Sequence, residues 1–395
     1  MKKTMTVIGL MSGTSLDGID AVLVRISRNG QTLRMKVLGF ETRPFPAHLR
    51  EMILDVSGGN ETTPLISHLN YYLGELFAES CLKLVSRAGF TISKVDLIGS
   101  HGQTVWHSPY WIPQGNRRIR SSFQVGELAV IAERTGVTTV GDFRPGDIAA
   151  GGEGAPLAPY FHKAFAGKKG KSRLILNMGG ISNLTYLPAK PGRPVLAFDT
   201  GPGNMLIDGL LEQFTGGKMK MDRNGRMAAR GKVHIEILSD LMENPYLVQK
   251  PPKSTGREIF GAPFIDDLMK IKRNLKLSAE DLTATVTAFT ATSIWMNCER
   301  FILSQGPIDE VVAGGGGVRN PVLMDMLEKM FHPIPILRFE EIGLDSKAVE
   351  AMAFALFAYD TIHGTPNNLP SATGAKRSVV MGKIVPGRNY RKLIS

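Results

Sequence analysis

Residues 5–24 restrict the fold more than any other stretch, because two apolar strands flank a short polar turn there. The turn and the first apolar residue after it are Ser12, Gly13, Thr14, Ser15, Leu16, Asp17, Gly18 and Ile19. Glycines allow backbone angles that other residues avoid, and successive N–H groups in such a turn form a concave site for anions. The pattern predicts a phosphate-binding hairpin, with an ordinary polar hairpin turn as the alternative.

This turn differs from the common phosphate loop. It lacks GxxxxGK[ST], and a strand follows it where that motif has a helix. Asp17 and Asp20 offer carboxylate oxygens, which hold Mg²⁺ directly or through water beside substrate phosphates. We therefore expect Mg²⁺ at this turn, with Asp17 as its candidate ligand through water.

A similar arrangement returns further along the chain. Residues 173–178 and 181–187 are predicted strands around Gly179 and Gly180, and a third strand is expected at 195–198. Two such halves predict a two-domain α/β fold of the actin, hexokinase and Hsp70 type (ribonuclease H-like), with mixed sheets flanked by helices and an interdomain cleft. The basic link at 167–171 places the boundary between a first domain, 1–168 with a returning segment 346–395, and a second domain, 169–345.

Apolar spacing predicts the remaining elements. We expect a third opening strand at 32–42, and helices at 64–90, 124–135, 157–166, 205–214, 233–242, 263–271, 279–303 and 346–363. Short strands are expected at 95–99, 137–140, 308–313, 334–337 and 379–384, and loops at 110–122 and 142–156. Residues 100–104 and 199–204 are expected to follow strand ends, where open α/β sheets place ligands.

Two glycine-rich turns are candidates for binding a nucleotide. Gly314, Gly315, Gly316 and Gly317 lie between a predicted strand and a helix starting at Pro321, and they would let a flat base lie against bare backbone. A tight strand-to-helix turn is the alternative. Gly201, Gly203 and Asn204 lie at a predicted helix start, whose N–H groups can bind phosphate.

Four charged or polar candidates accompany these turns. Asp199, just before the helix start, can take a proton from a nucleophile, or can simply cap the turn. Arg144 and Asp147 can bind a polar ligand, and the planar fork of Arg144 suits a carboxylate; a buried ion pair is the alternative. Glu350 is a lone acid on an apolar helix and should face a cavity or a partner, since unpaired burial is costly. His101 and His107 are expected to be hydrogen-bonded structural residues, with a role as ligand or base as the alternative.

Composition narrows the class of protein. The net charge is +11, but the Lys and Arg residues are scattered and form no basic run interleaved with aromatics, so nucleic-acid binding is not expected. The two cysteines lack metal-ligand spacing, which argues against a disulfide framework or a zinc site. Neither a signal peptide nor a membrane span is expected, so the cytoplasm is the predicted location.

Several motifs together resemble one family, the anhydro-N-acetylmuramic acid kinases. The matching stretches cover nearly the whole chain in the right order: residues 9–18, 99–104, 142–144, 154–156, 177–183, 198–204, 253–258, 314–317 and 373–375. The longer loop at 110–120 departs from the pattern.

The resemblance implies an ATP- and Mg²⁺-dependent sugar kinase of cell-wall recycling. It implies that 1,6-anhydro-N-acetylmuramic acid is opened by water and phosphorylated at O6, giving N-acetylmuramic acid 6-phosphate and ADP. Asp199 would be the base that activates water and Glu350 would help to position it. The turn at 12–19 would bind the ATP phosphates, while Thr104, Arg144 and Asp147 would contact the sugar.

Two rival functions remain open on the sequence. One is a kinase acting on another sugar hydroxyl with the same fold, and the other is an actin-like ATP switch. The expected partner is a small amino sugar rather than a nucleic acid or a membrane, and a homodimer is not decided by the sequence.

Overall fold

The computed structural model describes residues 2–13, 16–30, 32–59, 62–190 and 192–395. Its strands are β1 Thr4–Ser12, β2 Gly18–Asn29, β3 Thr32–Pro44, β4 Leu97–Gln114, β5 Arg117–Val125, β6 Thr139–Gly141, β7 Arg173–Met178, β8 Ile181–Leu187, β9 Leu196–Pro202, β10 Glu310–Gly314, β11 Ile336–Arg338 and β12 Lys383–Val385.

The helices alternate with these strands. They are α1 Ala47–Ser57, α2 Thr63–Arg87, α3 Leu128–Thr135, α4 Arg144–Ala149, α5 Ala158–Phe161, α6 Met205–Thr215, α7 Ile235–Met242, α8 Pro245–Val248, α9 Arg257–Phe260, α10 Ala262–Asn274, α11 Ala279–Asn297, α12 Pro321–Phe331, α13 Val349–Ile362, α14 Pro370–Thr373 and α15 Tyr390–Ile394. Short π-helical turns at His162–Ala166 and Cys298–Ile302 follow α5 and α11.

The chain divides into two compact units. Unit 1 consists of residues 1–164 and 347–395, and unit 2 consists of residues 165–346. Each unit has its own apolar core, one around α2 and the opening strands and the other around β7, β10, α11 and α12. A further apolar cluster in unit 2 packs α6, α7 and α10 against α11.

The two units have the same sheet topology. In unit 1 the strand order is β12-β6-β4-β1-β2-β3, with β5 paired to β4, and in unit 2 it is β11-β10-β7-β8-β9. In each, three antiparallel strands continue into two parallel ones: β3-β2-β1 with β4 and β6, and β9-β8-β7 with β10 and β11. The predicted α/β fold with mixed sheets and an internal duplication is thus confirmed.

Helix α13 lies directly against the backbone of the unit 1 sheet. Gly9 and Gly99 are register partners on the parallel strands β1 and β4. A Cβ at Gly9 would collide with the carbonyl of Ala351, and a Cβ at Gly99 with the carbonyl of Phe354. The two glycines therefore permit this close approach, which fixes where the first turn of α13 presents Glu350.

The prediction of a loop at 110–122 was wrong. Residues 97–125 form a long hairpin, in which β4 pairs antiparallel with β5. Its strands are rich in β-forming side chains such as Trp111, Ile112 and Ile119, and Gly115 has a φ of +59°, as the first residue of a two-residue hairpin turn requires. Gly115-Asn116 between such residues was the sequence signal for this hairpin.

Two polar stretches expected after strand ends lie inside strands. Residues 100–104 belong to β4, because they continue its pairing with β1 and start its pairing with β5. Residues 199–202 belong to β9, where Asp199 and Gly201 are opposite Asn183 and Ser182 of β8. Helix α4 interrupts the stretch at 142–156 that was expected to be wholly irregular.

Several other elements differ from expectation in extent. The helix expected at 157–166 is the short α5 followed by a π-helical turn, and the one expected at 124–135 begins only after β5. The C-terminal helices α14 and α15 were not predicted; each is short, so its apolar periodicity is too brief to detect.

Candidate functional site

The predicted phosphate turn of unit 1 is a tight connection between β1 and β2. The buried hydroxyl of Ser12 lies 2.6 Å from Oε1 of Gln103 and 3.2 Å from the carbonyl of Gly18. Leu16 has a φ of +58° and donates its N–H to the carbonyl of Gly13 over 3.2 Å. Ser12 thus anchors the turn from within, while Thr14 and Ser15 lie outside the described residues.

Acidic side chains border this turn. Asp17 is exposed, and Asp20 is half-buried and accepts a hydrogen bond of 2.5 Å from the hydroxyl of Thr42. Burial raises the pKa of Asp20, and the nearby negative charge of Asp17 raises it further. Binding a divalent cation would relieve this repulsion, so the two carboxylates fit Mg²⁺ that is held chiefly by water and phosphate oxygens.

A buried histidine orients Arg144. Nε2 of His101 accepts hydrogen bonds from Nε of Arg144 at 3.2 Å and from an Nη at 2.9 Å, and the other Nη of Arg144 donates to the carbonyl of Gly154 at 2.7 Å. Burial lowers the pKa of His101 to about 3, and the charge of Arg144 lowers it further, so the imidazole is neutral. His101 has the structural role expected, and it fixes the guanidinium fork.

Arg144 and Glu350 act on each other electrostatically. Burial lowers the pKa of Arg144 to about 10, although the negative charges of Glu350 and Asp147 act to raise it. Burial raises the pKa of Glu350, and the negative charge of Asp20 raises it further, while the positive charge of Arg144 lowers it. The Glu350 side chain is nevertheless accessible to solvent, so it is not a core residue. Unit 1 therefore brings Asp20, Arg144 and Glu350 together.

Asp147 is fully buried and its oxygens are occupied. Oδ1 accepts hydrogen bonds from Nδ2 of Asn368 at 2.8 Å and from the hydroxyl of Thr373 at 2.7 Å, and Oδ2 accepts one from the N–H of Gly154 at 2.9 Å. The carboxylate thus ties α4 to the following loop and to the C-terminal segment. This geometry gives Asp147 a structural role and leaves its carboxylate no exposed oxygen for direct contact with a sugar.

Thr104 lies on β4, half-buried, and its hydroxyl accepts a hydrogen bond of 3.2 Å from Nε2 of Gln124 on β5. The β4–β5 hairpin therefore supports one of the predicted sugar-contacting residues.

Three glycine-rich turns meet within unit 2. The N–H groups of Gly203 and Asn204 donate to the carbonyls of Gly180 and Gly179, each at 2.8 Å. Nδ2 of Asn204 also lies 3.2 Å from the carbonyl of Met178. A Cβ at Gly315, which has a φ of +82°, would come within 2.6 Å of that same carbonyl. The structure thus brings these predicted nucleotide-binding residues of three separate segments together, and Gly201, Gly314, Gly316 and Gly317 are in the same segments.

A cavity of about 550 Å³ lies beside the last of these turns. Val318, Pro321 and Met324 form part of its wall, and Arg319, Arg338 and Asn224 contribute polar groups. Apart from the glycine run, the sequence analysis did not identify these lining residues. The signal for Val318, Arg319, Pro321 and Met324 was their position directly after that run and at the start of α12, whereas Asn224 and Arg338 come from other segments.

Asp199 is held on both its backbone and its side chain. Its N–H donates to the carbonyl of Lys253 at 3.1 Å, its carbonyl accepts from the hydroxyl of Tyr246 at 2.9 Å, and its Oδ2 accepts from the N–H of Thr255 at 3.0 Å. Burial raises the pKa of Asp199 to about 7, partly offset by the Thr255 N–H. A carboxylate with a pKa near neutrality is suited to general-base chemistry.

Lys253, whose carbonyl accepts the Asp199 N–H, is itself held by contacts of its buried side chain. Its buried ammonium donates to the carbonyls of Tyr246 and Leu247 at 3.1 and 3.0 Å and lies over the rings of Tyr246 and Phe301 at 4.7 and 5.2 Å. Burial lowers its pKa to about 8, whereas Asp199 raises it. The sequence analysis quoted the motif at 253–258 without giving Lys253 or Thr255 a role.

Duplicated mixed sheets, glycine turns that gather in one unit, and a carboxylate of raised pKa are the features expected of a phosphotransferase of the actin-like sugar-kinase class. Comparison with known proteins then identifies the group within that class. The profile of the family described as "Anhydro-N-acetylmuramic acid kinase" matches residues 5–387, and the chain belongs to that family.

Two curated relatives carry the same family name. The protein of Caldanaerobacter subterraneus subsp. tengcongensis is 47% identical over 386 residues, covering 97% of this chain and 97% of the relative. That of Bacillus thuringiensis subsp. konkukian is 45% identical over 384 residues, covering 96% and 99%. The resemblance stated from the sequence motifs is thus confirmed.

Among solved structures, component A of (R)-2-hydroxyglutaryl-CoA dehydratase from Acidaminococcus fermentans aligns with a TM-score of 0.46 and 11% identity, covering 90% of this chain and 98% of that one. The sheet topology and the family match place the chain in this class. Within the described part of the chain, no helix combines the length and the apolar character needed to cross a membrane.

Proposed function

We propose that this protein uses ATP to convert 1,6-anhydro-N-acetylmuramic acid into N-acetylmuramic acid 6-phosphate and ADP, as the family name and the site residues support. The observation that carries the chemistry is the carboxylate of Asp199, fixed by the Thr255 N–H at 3.0 Å and given a pKa of about 7 by burial. Such a group accepts a proton readily at neutral pH.

The reaction balances with one base. Asp199 removes a proton from water as the water oxygen attacks the anomeric carbon. The bond from that carbon to O6 breaks, O6 bonds to the γ-phosphorus, and ADP leaves. Because phosphorus captures the departing O6, no acid is needed to protonate it, unlike in a glycosidase. Asp199 then releases the proton to solvent.

The other candidate residues are assigned to the phosphates, the adenosine and the Mg²⁺ of bound ATP. We propose that Ser12, Gly13, Leu16, Asp17, Gly18 and Ile19, together with Thr14 and Ser15, bind the ATP phosphates along with Gly179, Gly180, Gly201, Gly203 and Asn204. Gly314, Gly315, Gly316 and Gly317, with the adjoining cavity, bind the adenosine. Mg²⁺, when bound, neutralises phosphate charge, and Asp17 holds it through water.

Unit 1 supplies the sugar contacts in this proposal. The guanidinium of Arg144, oriented by His101, binds the lactyl carboxylate, for which its planar fork is suited. Thr104 contacts a sugar hydroxyl, Glu350 helps to position the attacking water, and Asp147 acts only through the loop that it holds.

The direct test is ADP release measured with the anhydro sugar against a panel of ordinary hexoses. We expect turnover with the anhydro sugar and little with the hexoses, and a loss of several orders of magnitude in Asp199→Asn. Asp208→Asn is the matched control, since burial also raises the pKa of Asp208 in unit 2 to about 7. Hexose turnover of equal rate would favour the rival sugar kinase, and nucleotide-dependent polymerisation without sugar-stimulated ADP release would favour the ATP switch.

A further inference from the structure

Three polar atoms on the β4–β5 hairpin are buried without a hydrogen-bond partner among the described residues. They are Nε2 of His107 on β4 and, on β5, Nε of Arg120 and Oε1 of Gln124; the His107 and Gln124 atoms are linked through Ser122. Leaving a buried donor or acceptor unpaired costs free energy, so such groups are usually matched by protein, water or ligand. Their occurrence on two adjacent strands points to a polar ligand at this place.

A chain of hydrogen bonds determines what these atoms offer. Nε2 of Gln124 donates to the hydroxyl oxygen of Ser122 at 2.8 Å, and that oxygen lies 3.1 Å from Nδ1 of His107 and 3.5 Å from the carbonyl of Trp106. Because 3.5 Å is at the outer limit of a hydrogen bond, we assign the Ser122 proton to Nδ1 of His107 rather than to the Trp106 carbonyl. In the neutral ring the proton is then on Nε2, so the pair presents one N–H donor and one carbonyl acceptor.

The charge state of His107 agrees with this assignment. Burial lowers its pKa to about 4, and the positive charge of Arg144 contributes to the shift. The imidazole is therefore neutral near pH 7.

The pair adjoins the sugar contacts already assigned in unit 1. Gln124 donates to the hydroxyl of Thr104 at 3.2 Å, and Arg144 is near enough to act on His107 electrostatically. Arg120 holds the hairpin in place, because its guanidinium donates to the carbonyl of Gly151 at 3.1 Å and pairs with Glu153 at 3.5 Å. The unpaired atoms of His107 and Gln124 therefore lie on a fixed hairpin beside Thr104.

We propose that His107 and Gln124 recognise the acetamido group of the sugar. Its N–H donates to Oε1 of Gln124, and its carbonyl accepts from Nε2–H of His107. A secondary amide has one donor and one acceptor, which match this pair, whereas a carboxylate oxygen would be repelled by Oε1 of Gln124. The inference rests on the proposed function, since the acetamido group belongs to the substrate assigned there.

The test compares two sugars on the same protein. Dissociation constants are measured by calorimetry, without nucleotide, for 1,6-anhydro-N-acetylmuramic acid and for its analogue with a hydroxyl in place of the acetamido group. We expect His107→Phe to weaken binding of the acetylated sugar roughly 10-fold, the size of one lost hydrogen bond, and to weaken binding of the analogue by less than about twofold. Gln124→Leu also removes the hydrogen bond to Thr104, so it should weaken binding of both sugars, but that of the acetylated sugar roughly 10-fold more. Gln114→Leu, on the exposed part of the same hairpin, should change neither constant.

The outcomes separate the two claims. Equal weakening of both sugars, or no change with either variant, would overturn the acetamido assignment while leaving the proposed function in place. A wild-type protein that binds neither sugar would overturn both. The two variants lie on different strands, so a local folding defect in one leaves the other as an independent measurement.

Discussion

Replacing Asp199 with Asn should make the protein more stable at alkaline pH while removing its activity. Asp199 is half-buried, and burial raises the pKa of its carboxylate from an ordinary value of 3.8 to about 7. The folded state therefore disfavours the ionised form. Asn keeps an oxygen that can accept the Thr255 N–H, which now lies 3.0 Å from Oδ2, but it carries no charge.

The size of the effect follows from the two pKa values. A group whose pKa is raised on folding contributes its full stability below the unfolded pKa and loses it as pH rises through the folded pKa. For Asp199 the loss accumulates between 3.8 and about 7. The difference corresponds to a free energy of at most roughly 4 kcal/mol, of which about 2 to 3 kcal/mol falls between pH 5 and pH 8.5.

Urea unfolding of wild type and Asp199→Asn at pH 5 and pH 8.5 measures this difference. We expect the variant to gain stability relative to wild type as pH rises, and Asp208→Asn to show the same trend because the pKa of Asp208 is also raised to about 7. A stability difference that does not change with pH would refute the claim that the Asp199 carboxylate is destabilised by its surroundings.

Three further predictions concern binding, proton affinity and backbone geometry. Arg144→Ala should raise the KM for the sugar at least 10-fold more than the KM for ATP, measured by steady-state kinetics; equal effects would exclude a carboxylate contact. Lys253→Met should move the acidic limb of the kcat/KM profile to higher pH, because the Lys253 charge lowers the pKa of Asp199. Lys253→Arg, which keeps the charge, should move that limb less. An acidic limb that stays in place in Lys253→Met would contradict this effect of Lys253 on Asp199. Gly315→Ala should destabilise the protein by a few kcal/mol, since its Cβ would lie 2.6 Å from the Met178 carbonyl at a φ of +82°. Gly343→Ala, at a φ of +81° with no atom within 4 Å, is the control in thermal unfolding and should cost only about 1 kcal/mol.

The sequence was sufficient to predict the duplicated sheets. The strands around residues 12–19 and around Gly179 and Gly180 have clear apolar patterns and glycine turns, and both hairpins are present. Family motifs also located Asp199, whose local surroundings suit a base. These features are encoded by short, local patterns that one sequence displays directly.

The surroundings of those residues were less predictable. The hairpin at 97–125 was expected to include a loop, because its exposed strands mix aromatic, polar and proline residues without simple alternation. The partners of Asp147 come from Gly154, Asn368 and Thr373, and the last two lie more than 200 positions away. Lys253 reaches Asp199 from a different segment. Contacts of this kind depend on tertiary packing, which residue periodicity does not contain.

The most direct test of the reaction is to run it in ¹⁸O-labelled water. With 1,6-anhydro-N-acetylmuramic acid and ATP, we expect one label at C1 of the phosphorylated product and none in the phosphate group, with one ADP released per sugar. Unlabelled product kept in the same water controls for exchange at C1. A phosphorylated sugar with no label beyond that exchange, or ADP release without any sugar phosphate, would contradict ring opening by water and the role proposed for Asp199.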